Sequence, residues 1–356
     1  MTTDHGTILI TGGCGFIGSA LIRYLIRETG VEVINLDKLT YSASPAAVAE
    51  CAPDSRYSLI KGCITDAELV ASILREFSPH GIIHLAAESH VDRSIHAPSN
   101  FIDTNIVGSF VLLSEARNYW LTLDDEGKRA FRFHHVSTDE VFGSLSETSS
   151  ASVETSAYQP RSPYSASKAA SDHLVQAWHA TYGLPVVITT SSNNYGPWQF
   201  PEKLVPVVIS AALDGTAIPV YGDGRNMRDW LHVEDHVRAI WSVFNQGKTG
   251  SRYNVSGDTE VQNLDVVNSI CRILDDLRPR TGGGNYSEQI AFVTDRPGHD
   301  WRYALDCTKI KSETDWAPQL TFEEGLKTTV QWYVENESWW RAITGNRFDH
   351  DGELQQ

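Results

Sequence analysis

The chain has 356 residues, 41% apolar and 21% charged, a globular balance in a length that suits one large domain plus a smaller one. Its formal charge of −16 excludes a general binder of nucleic acid or anionic membranes, which needs a basic face, but not a phosphate-bearing small ligand served by a few local cations. Five cysteines (Cys14, Cys51, Cys63, Cys271 and Cys307), odd in number and without a CxxC pair, read as reduced thiols in a cytoplasmic protein with no zinc site. No signal-peptide pattern opens the chain, and no apolar run is long enough to span a bilayer.

From the N-terminus, TILIT (7–11) predicts a strand and 16–28 a helix. Further strands are predicted at 31–36, 57–60, 81–86, 131–137 and 186–191, with helices at 66–77, 99–120 and 164–181 between them. GIIHLA (81–86) is apolar almost without alternation, as a strand buried on both faces should be. The alternation predicts an α/β fold, a Rossmann-type doubly wound parallel sheet. The Ser/Thr-rich stretch 143–157 predicts a loop or lid. After about residue 193 proline and glycine become frequent, with helical patterns at 203–213, 234–245, 263–276 and 322–340. The expected division is a first, Rossmann domain over 1–192 and a smaller C-terminal α/β substrate-binding domain over 193–345. The segment near 230–256 returns to the first domain, and a flexible tail occupies 346–356.

The first predicted turn carries chemistry. Gly12, Gly13, Gly15 and Gly18 follow a strand directly and open a helix, so the backbone can turn tightly and bring N–H groups to a pyrophosphate. Asp37, about twenty residues on at the end of the next strand, supplies a carboxylate for ribose hydroxyls. It would repel a 2′-phosphate, so the expected cofactor is NAD, with Lys38 beside it as the one opposing sign.

HVSTDEVFG (135–143) begins like a strand and ends like a turn, with Thr138, Asp139 and Glu140 at the break. Two consecutive acids in a partly dry place are costly unless used. As N-cap and first-turn acids they would need a following helix, for which VFGS leaves little room. Further on, Tyr164 and Lys168 stand four apart at a helix start, on one face. The Lys ammonium is expected to lower the Tyr pKa from its usual ~10, making Tyr164 a base for a sugar hydroxyl.

From about residue 6 to about residue 340 the chain resembles the extended short-chain dehydrogenase/reductases, and within them the dTDP-glucose 4,6-dehydratase family. The resemblance rests on TGGCGFIGS, LDKLTYS, HLAAESHVDRSI, STDEVFG, SPYSASKAASDHL, SNNYGPWQFPEKL, PVYGDGRNMRDWLHVEDH and DRPGHDWRY; the Thr-Asp-Glu triplet separates it from sugar 4-epimerases. It implies oxidation of the sugar at C4, loss of water across C5 and C6, and return of the hydride to C6 with tightly bound NAD. Tyr164 would be the base at the 4-hydroxyl, assisted by Lys168, with Thr138 on the C4 oxygen, Glu140 the base at C5 and Asp139 the acid at the 6-hydroxyl. Both acids can reach one sugar only if the strand has ended at Thr138.

The same resemblance implies that Phe16 and Ile17 touch the dinucleotide, that Asp37, Lys38, Leu39 and Thr40 line its adenosine end with Cys63 and Ile64, and that Leu85, Ala86, Ala87, Thr104 and Asn194 complete its site. Ser89 and Asn193 would contact the sugar. Lys203, Leu204, Pro219, Val220 and Tyr221 would form the nucleotide pocket, closed by Arg228, Asn263 and the run Asp295, Arg296 to His299. Guanidinium forks suit phosphate oxygens. One departure is visible: where the family carries an acid that reads the adenine amino group, this chain has Cys63, which should weaken NAD affinity. No histidine falls in a metal pattern; His84, His134 and His135 are expected to pack in strands, and His90 and His232 lie near the motifs without an assigned role. Helices 99–120 and 164–181 imply a homodimer by the same resemblance. Competing readings are the same reaction on UDP-glucose or another nucleotide hexose, a nucleotide-sugar 4-epimerase, and a non-catalytic NAD-binding protein.

Overall fold

A computed structural model describes residues 6–295 and 298–345. Its strands are β1 (Thr7–Thr11), β2 (Glu32–Asp37), β3 (Tyr57–Lys61), β4 (Gly81–His84), β5 (Arg132–Thr138), β6 (Val186–Ser191), β7 (Asn193–Tyr195), β8 (Ile218–Tyr221), β9 (Met227–His232), β10 (Arg252–Val255), β11 (Glu260–Gln262) and β12 (Ile290–Val293). Seven of them pair in parallel in the order β10-β6-β5-β4-β1-β2-β3. The chain winds from β1 outward through β2 and β3, then returns to β4 and winds the other way. A crevice opens at that reversal, outside the carboxyl ends of β1 and β4.

Both faces of the sheet are covered, which is why its strands read as continuous apolar runs. In β1, Ile8 and Ile10 pack on one side with Leu21, Ile22 and Leu25 of the helix Phe16–Glu28 and with Val237 and Ile240 of the helix Val233–Gln246. Leu9, between them, points to the other side, where it packs with Val70 of the helix Ala67–Phe77, Leu112 of Ser109–Thr122 and Val175 of Pro163–Tyr182.

A second layer builds on the carboxyl ends of these strands. β7, β9 and β11 form a small sheet, and β8 pairs with β12. Helices Leu204–Asp214, Asn263–Leu277 and Phe322–Glu335 share its core through Val208, Ile270 and Leu326. Between the two sheets the chain crosses back, for the helix Val233–Gln246 and β10 belong to the large sheet.

Two elements depart from the sequence pattern. The stretch expected as one helix over 99–120 is interrupted by a turn of wide π geometry, Ile102–Gly108. The helix expected over 322–340 is two, Phe322–Glu335 and Glu337–Thr344, broken at Asn336, whose side-chain amide donates to the Trp332 carbonyl (2.9 Å) in competition with the helical ladder. The Ser/Thr-rich stretch is a loop, and it is stitched down: Leu145 bridges to Arg302 and Ser152 to Leu305. The tail expected over 346–356 lies outside the described residues. Among the described residues no helix is long and apolar enough to cross a membrane.

Candidate active site

A cleft of about 490 Å³ lies at the crevice between the two layers, lined at one end by the glycine turn and at the other by the second layer. The turn is built for close approach. Gly12 has φ +75°, and a Cβ there would sit 2.7 Å from the Ala86 backbone; one on Gly18 would sit 2.2 Å from the Gly12 carbonyl. The helix that follows begins at Phe16 with Gly15 as its N-cap and has no side-chain cap, so its first-turn N–H groups face the cleft as an anion site. Asp37 lies opposite, buried and fixed by two backbone donors, Cys14 N to Oδ2 (2.8 Å) and Leu39 N to Oδ1 (2.7 Å). Burial raises its carboxyl pKa, and the two N–H bonds oppose the rise. Each oxygen keeps a lone pair for a ribose hydroxyl. Glycine turn, uncapped helix start and fixed carboxylate together fit a dinucleotide.

At the reacting end, β5 stops at Thr138 and the chain turns through one 3₁₀ turn, Asp139–Phe142. Thr138 Oγ1 accepts from Glu140 N (3.3 Å) and donates to Asp139 Oδ1 (3.3 Å). The capping role and the placing of two acids at one cleft therefore coexist, in a single short turn ended by Gly143 at φ +77°. Asp139 is buried, and among the described residues its Oδ2 has no hydrogen-bond partner. Its pKa is raised well above the ordinary carboxylate value, first by burial and then by the charges of Glu140 and Asp229. Asp229, on β9, is itself pushed up to about 7 by burial, against hydrogen bonds from Gly257, Ser256 and Ser192.

Tyr164 sits in the first turn of the helix Pro163–Tyr182, whose N-cap Ser162 accepts from Ser165 N (3.0 Å). The expected lowering of its phenol is not what the geometry produces. Burial raises it, the Glu140 charge raises it further, and a hydrogen bond with Thr138 opposes them. Lys168 Nζ donates to the Val136 carbonyl (2.8 Å) and lies 3.3 Å from His135 Nε2. Its charge is balanced from behind by Asp172, which works against the burial that lowers Lys168 to about 8.

Of the other residues singled out in the sequence, Phe16, Ile17, Lys38, Thr40, Cys63, Ile64, Leu85, Ala86, Ala87 and Thr104 line the cleft on the glycine side. Ser89, Asn193, Asn194, Lys203, Leu204, Pro219, Tyr221, Arg228, Asn263 and His299 line it toward the second layer. Two do not line it. Leu39 (φ +55°) turns its side chain into the core beneath, and only its N–H serves the site. Val220 alternates inward from Pro219 and Tyr221 and packs in the second-layer core. Asp295 stands behind His299, 2.6 Å from its Nδ1. Arg296 lies outside the described residues. Arg228 is buried, stacks 4.5 Å from the Tyr303 ring centroid, and donates to the carbonyls of Asp300 (2.8 Å) and Trp301 (3.2 Å). Among the described residues no group of three His, Cys, Asp or Glu side chains could hold a metal ion.

Two features escaped the sequence reading. Asn105, in the π turn, exchanges hydrogen bonds with the Glu88 backbone (2.9 and 3.0 Å) and donates to Ser167 Oγ (2.8 Å), tying the Ser89 loop to the helix of Tyr164 and Lys168. A clasp also spans the cleft. Tyr41 donates to Glu202 Oε1 (3.2 Å) and meets Phe200 edge-on; the Arg93 guanidinium lies 3.6 Å from its ring centroid, and Lys203 donates to the Ser89 carbonyl (2.8 Å). Its partners come from three segments distant in the chain, LDKLTYS, HLAAESHVDRSI and SNNYGPWQFPEKL, and nothing local shows that these meet.

Residues 9–329 match the family described as GDP-mannose 4,6 dehydratase. The chain is 55% identical over 333 residues to a dTDP-glucose 4,6-dehydratase of Haemophilus influenzae, covering 93% of this chain and 98% of the relative. It is 53% identical over 340 residues to that of Shigella flexneri, covering 93% and 94%. Among solved structures it is similar to DesIV, the dTDP-glucose 4,6-dehydratase of Streptomyces venezuelae with NAD and TYD bound. The TM-score is 0.86 and the identity 43%, over 95% of this chain and 99% of that one. A UDP-glucose 4-epimerase of Thermus thermophilus in complex with NAD is more distant, with TM-score 0.80 and 27% identity over 93% and 99%.

Proposed function

The chain belongs to the family described as GDP-mannose 4,6 dehydratase, and from that premise we propose that it is a dTDP-glucose 4,6-dehydratase, converting dTDP-glucose to dTDP-4-keto-6-deoxyglucose and water with tightly bound NAD. The observation that carries this reading is that Asp139 and Glu140 follow Thr138 at the end of β5 and line the same cleft as Tyr164 and Lys168. Elimination of water needs one carboxylate to take a proton and one carboxylic acid to give one, close together. An epimerase needs neither.

Bound NAD supplies the hydride acceptor for C4 and the donor for C6. The residues of this chain do the rest. Gly12, Gly15 and Gly18 with the helix start hold the pyrophosphate, and Asp37 holds the ribose hydroxyls. Tyr164 takes the proton of the 4-hydroxyl, with Lys168 providing positive charge below it and Thr138 holding the C4 oxygen. The 4-ketone acidifies C5, Glu140 removes the C5 proton, and Asp139 gives its proton to the 6-hydroxyl as the C6–O bond breaks. Burial that keeps Asp139 protonated supports its assignment as the acid. Ser89 and Asn193 hold the sugar, and Lys203, Tyr221, Arg228, Asn263 and His299 the nucleotide diphosphate.

A homodimer completes the reading. It is supported by the large apolar side chains exposed on the helical stretch 98–122 and on the helix Pro163–Tyr182, among them Ile102, Val107, Phe110 and Tyr182. Light scattering on the purified protein tests it, a monomer at micromolar concentration refuting it. Five free thiols support a cytoplasmic location. The activity is tested by incubating the protein with a panel of nucleotide glucoses and reading the alkali-induced absorbance of a 4-keto sugar. The dTDP sugar is expected to react best, and formation of the C4 epimer without loss of water would refute the reading.

A further inference from the structure

Behind the cleft floor Lys168 meets two buried groups, Asp172 and His135, to which the reaction assigns no part. Asp172 and His135 are wholly buried and Lys168 is 5% exposed. Asp172 follows Lys168 by one helical turn, and its Oδ1 lies 3.2 Å from His135 Nε2, which in turn lies 3.3 Å from Lys168 Nζ. Its Oδ2 accepts from Ser137 Oγ (2.9 Å) and from the Tyr158 hydroxyl. We propose that Asp172 is a positioning residue for this reaction: with His135 between them, it is the buried counter-charge that keeps the Lys168 ammonium charged and seated at the floor of the cleft. The proposal rests on the dehydratase reading above.

Among the described residues, Asp172 is the acid whose charge acts on Lys168. From β4 it is faced by His84 and from β5 by His135, both held neutral because burial lowers them, His135 to about 4. From its own helix it is faced by Asp172 and by Tyr164, whose neutral phenol burial favours. Arg252 of β10 lies over the ring of Tyr158, 4.7 Å from its centroid, on the far side of Asp172, and adds positive charge. The acids Asp139 and Glu140 stand on the opposite, cleft side of Tyr164 and act on its phenol. Asp172 is suited to the part. Burial raises its carboxyl, and hydrogen bonds from His135 and Tyr158 together with the Lys168 charge oppose that rise. An unpaired ammonium in such a place would lose its proton.

The experiment compares pH profiles of kcat/KM for wild type, Asp172→Asn and Tyr158→Phe. Asp172→Asn keeps shape and removes the charge. Its basic limb should move about one pH unit or more toward acid, so that it loses about fivefold or more at pH 8 and under about threefold at pH 6. Tyr158→Phe removes a hydrogen bond to the same carboxylate but leaves its charge, and should keep the wild-type limb. A limb unmoved in Asp172→Asn, or moved equally in Tyr158→Phe, overturns the proposal. Should Asp172→Asn not fold, the double variant Asp172→Asn/Lys168→Met, which removes both charges together, is expected to fold and to melt higher than Lys168→Met alone. A double variant no better than either single one overturns it too. A wild type that makes no 4-keto product would instead refute the dehydratase reading.

Discussion

Asp139 and Glu140 are consecutive in the chain, yet the first is buried and the second half-buried on the wall of the same cleft. That asymmetry separates the two carboxyls: burial, and then the Glu140 charge beside it, raises Asp139 well above the ordinary carboxylate value. Each role can then be removed separately.

Glu140→Gln keeps shape and loses the base; Asp139→Asn keeps shape and loses the transferable proton. Each is expected to slow release of the 4-keto product by ~10²–10⁴, the usual worth of a general acid or base. Both should still oxidise C4, so absorbance at 340 nm should rise and persist when substrate is added in a stopped-flow experiment. Tyr164→Phe should give almost no such rise. Normal turnover in Glu140→Gln would refute its role.

The same buried carboxyl should cost stability. The folded pKa of Asp139 lies above its unfolded value of 3.8, so the stability is fully present below pH 3.8 and is lost as pH rises toward the folded value. Asp139→Asn removes that loss. The variant is expected to melt higher than wild type at pH 7–8, with the difference shrinking toward pH 4, in calorimetry of the cofactor-saturated proteins. A variant that melts lower at every pH would contradict the sign.

The clasp over the cleft should set how long the cofactor stays. Tyr41→Ala removes the hydrogen bond to Glu202, the Arg93 contact and the Phe200 edge together. Each such contact is worth about 0.5–1.5 kcal/mol, so the rate of cofactor release should rise about tenfold or more, read by transfer of NAD to a trapping dehydrogenase. An unchanged rate would mean that the clasp shapes the loops and does not retain the cofactor.

Cys63 lines the cleft at the expected adenine end, and its thiol accepts from Thr65 Oγ1 (3.0 Å). Cys63→Asp is expected to lower the NAD dissociation constant several-fold, since one gained charged hydrogen bond is worth ~1 kcal/mol or more. Titration calorimetry on the stripped protein reads it. An unchanged constant would mean that backbone groups already read the base.

Six of the seven strands of the large sheet, all but β10, were legible in the sequence, the inner ones because burial on both faces writes them as apolar runs, and the glycine turn marks where the sheet begins. β7, β8, β9, β11 and β12 were not. They are three to six residues long, mixed in polarity, and owe their form to partners far away, as β8 does to β12. The site divides in the same way. Most residues assigned from contiguous motifs line the cleft, while Asn105, paired with Ser167 62 residues on, stands outside those motifs, and the pairing of Tyr41 with Glu202, 161 residues on, joins two motifs that nothing local links. The Tyr164 phenol shows the limit of spacing arguments. Four residues put Lys168 on the right face, but spacing does not show the burial and the Glu140 charge that raise the phenol.

The most direct measurement is turnover of dTDP-glucose in deuterated water, followed by NMR of the product. The expected result is a dTDP-4-keto-6-deoxy sugar with deuterium at C5, lost water, and no incorporation at C5 of unreacted substrate beyond what reverse exchange allows. A product that keeps its 6-hydroxyl, inverted at C4 and free of deuterium at C5, would contradict the assignment of Asp139 and Glu140 as the eliminating pair.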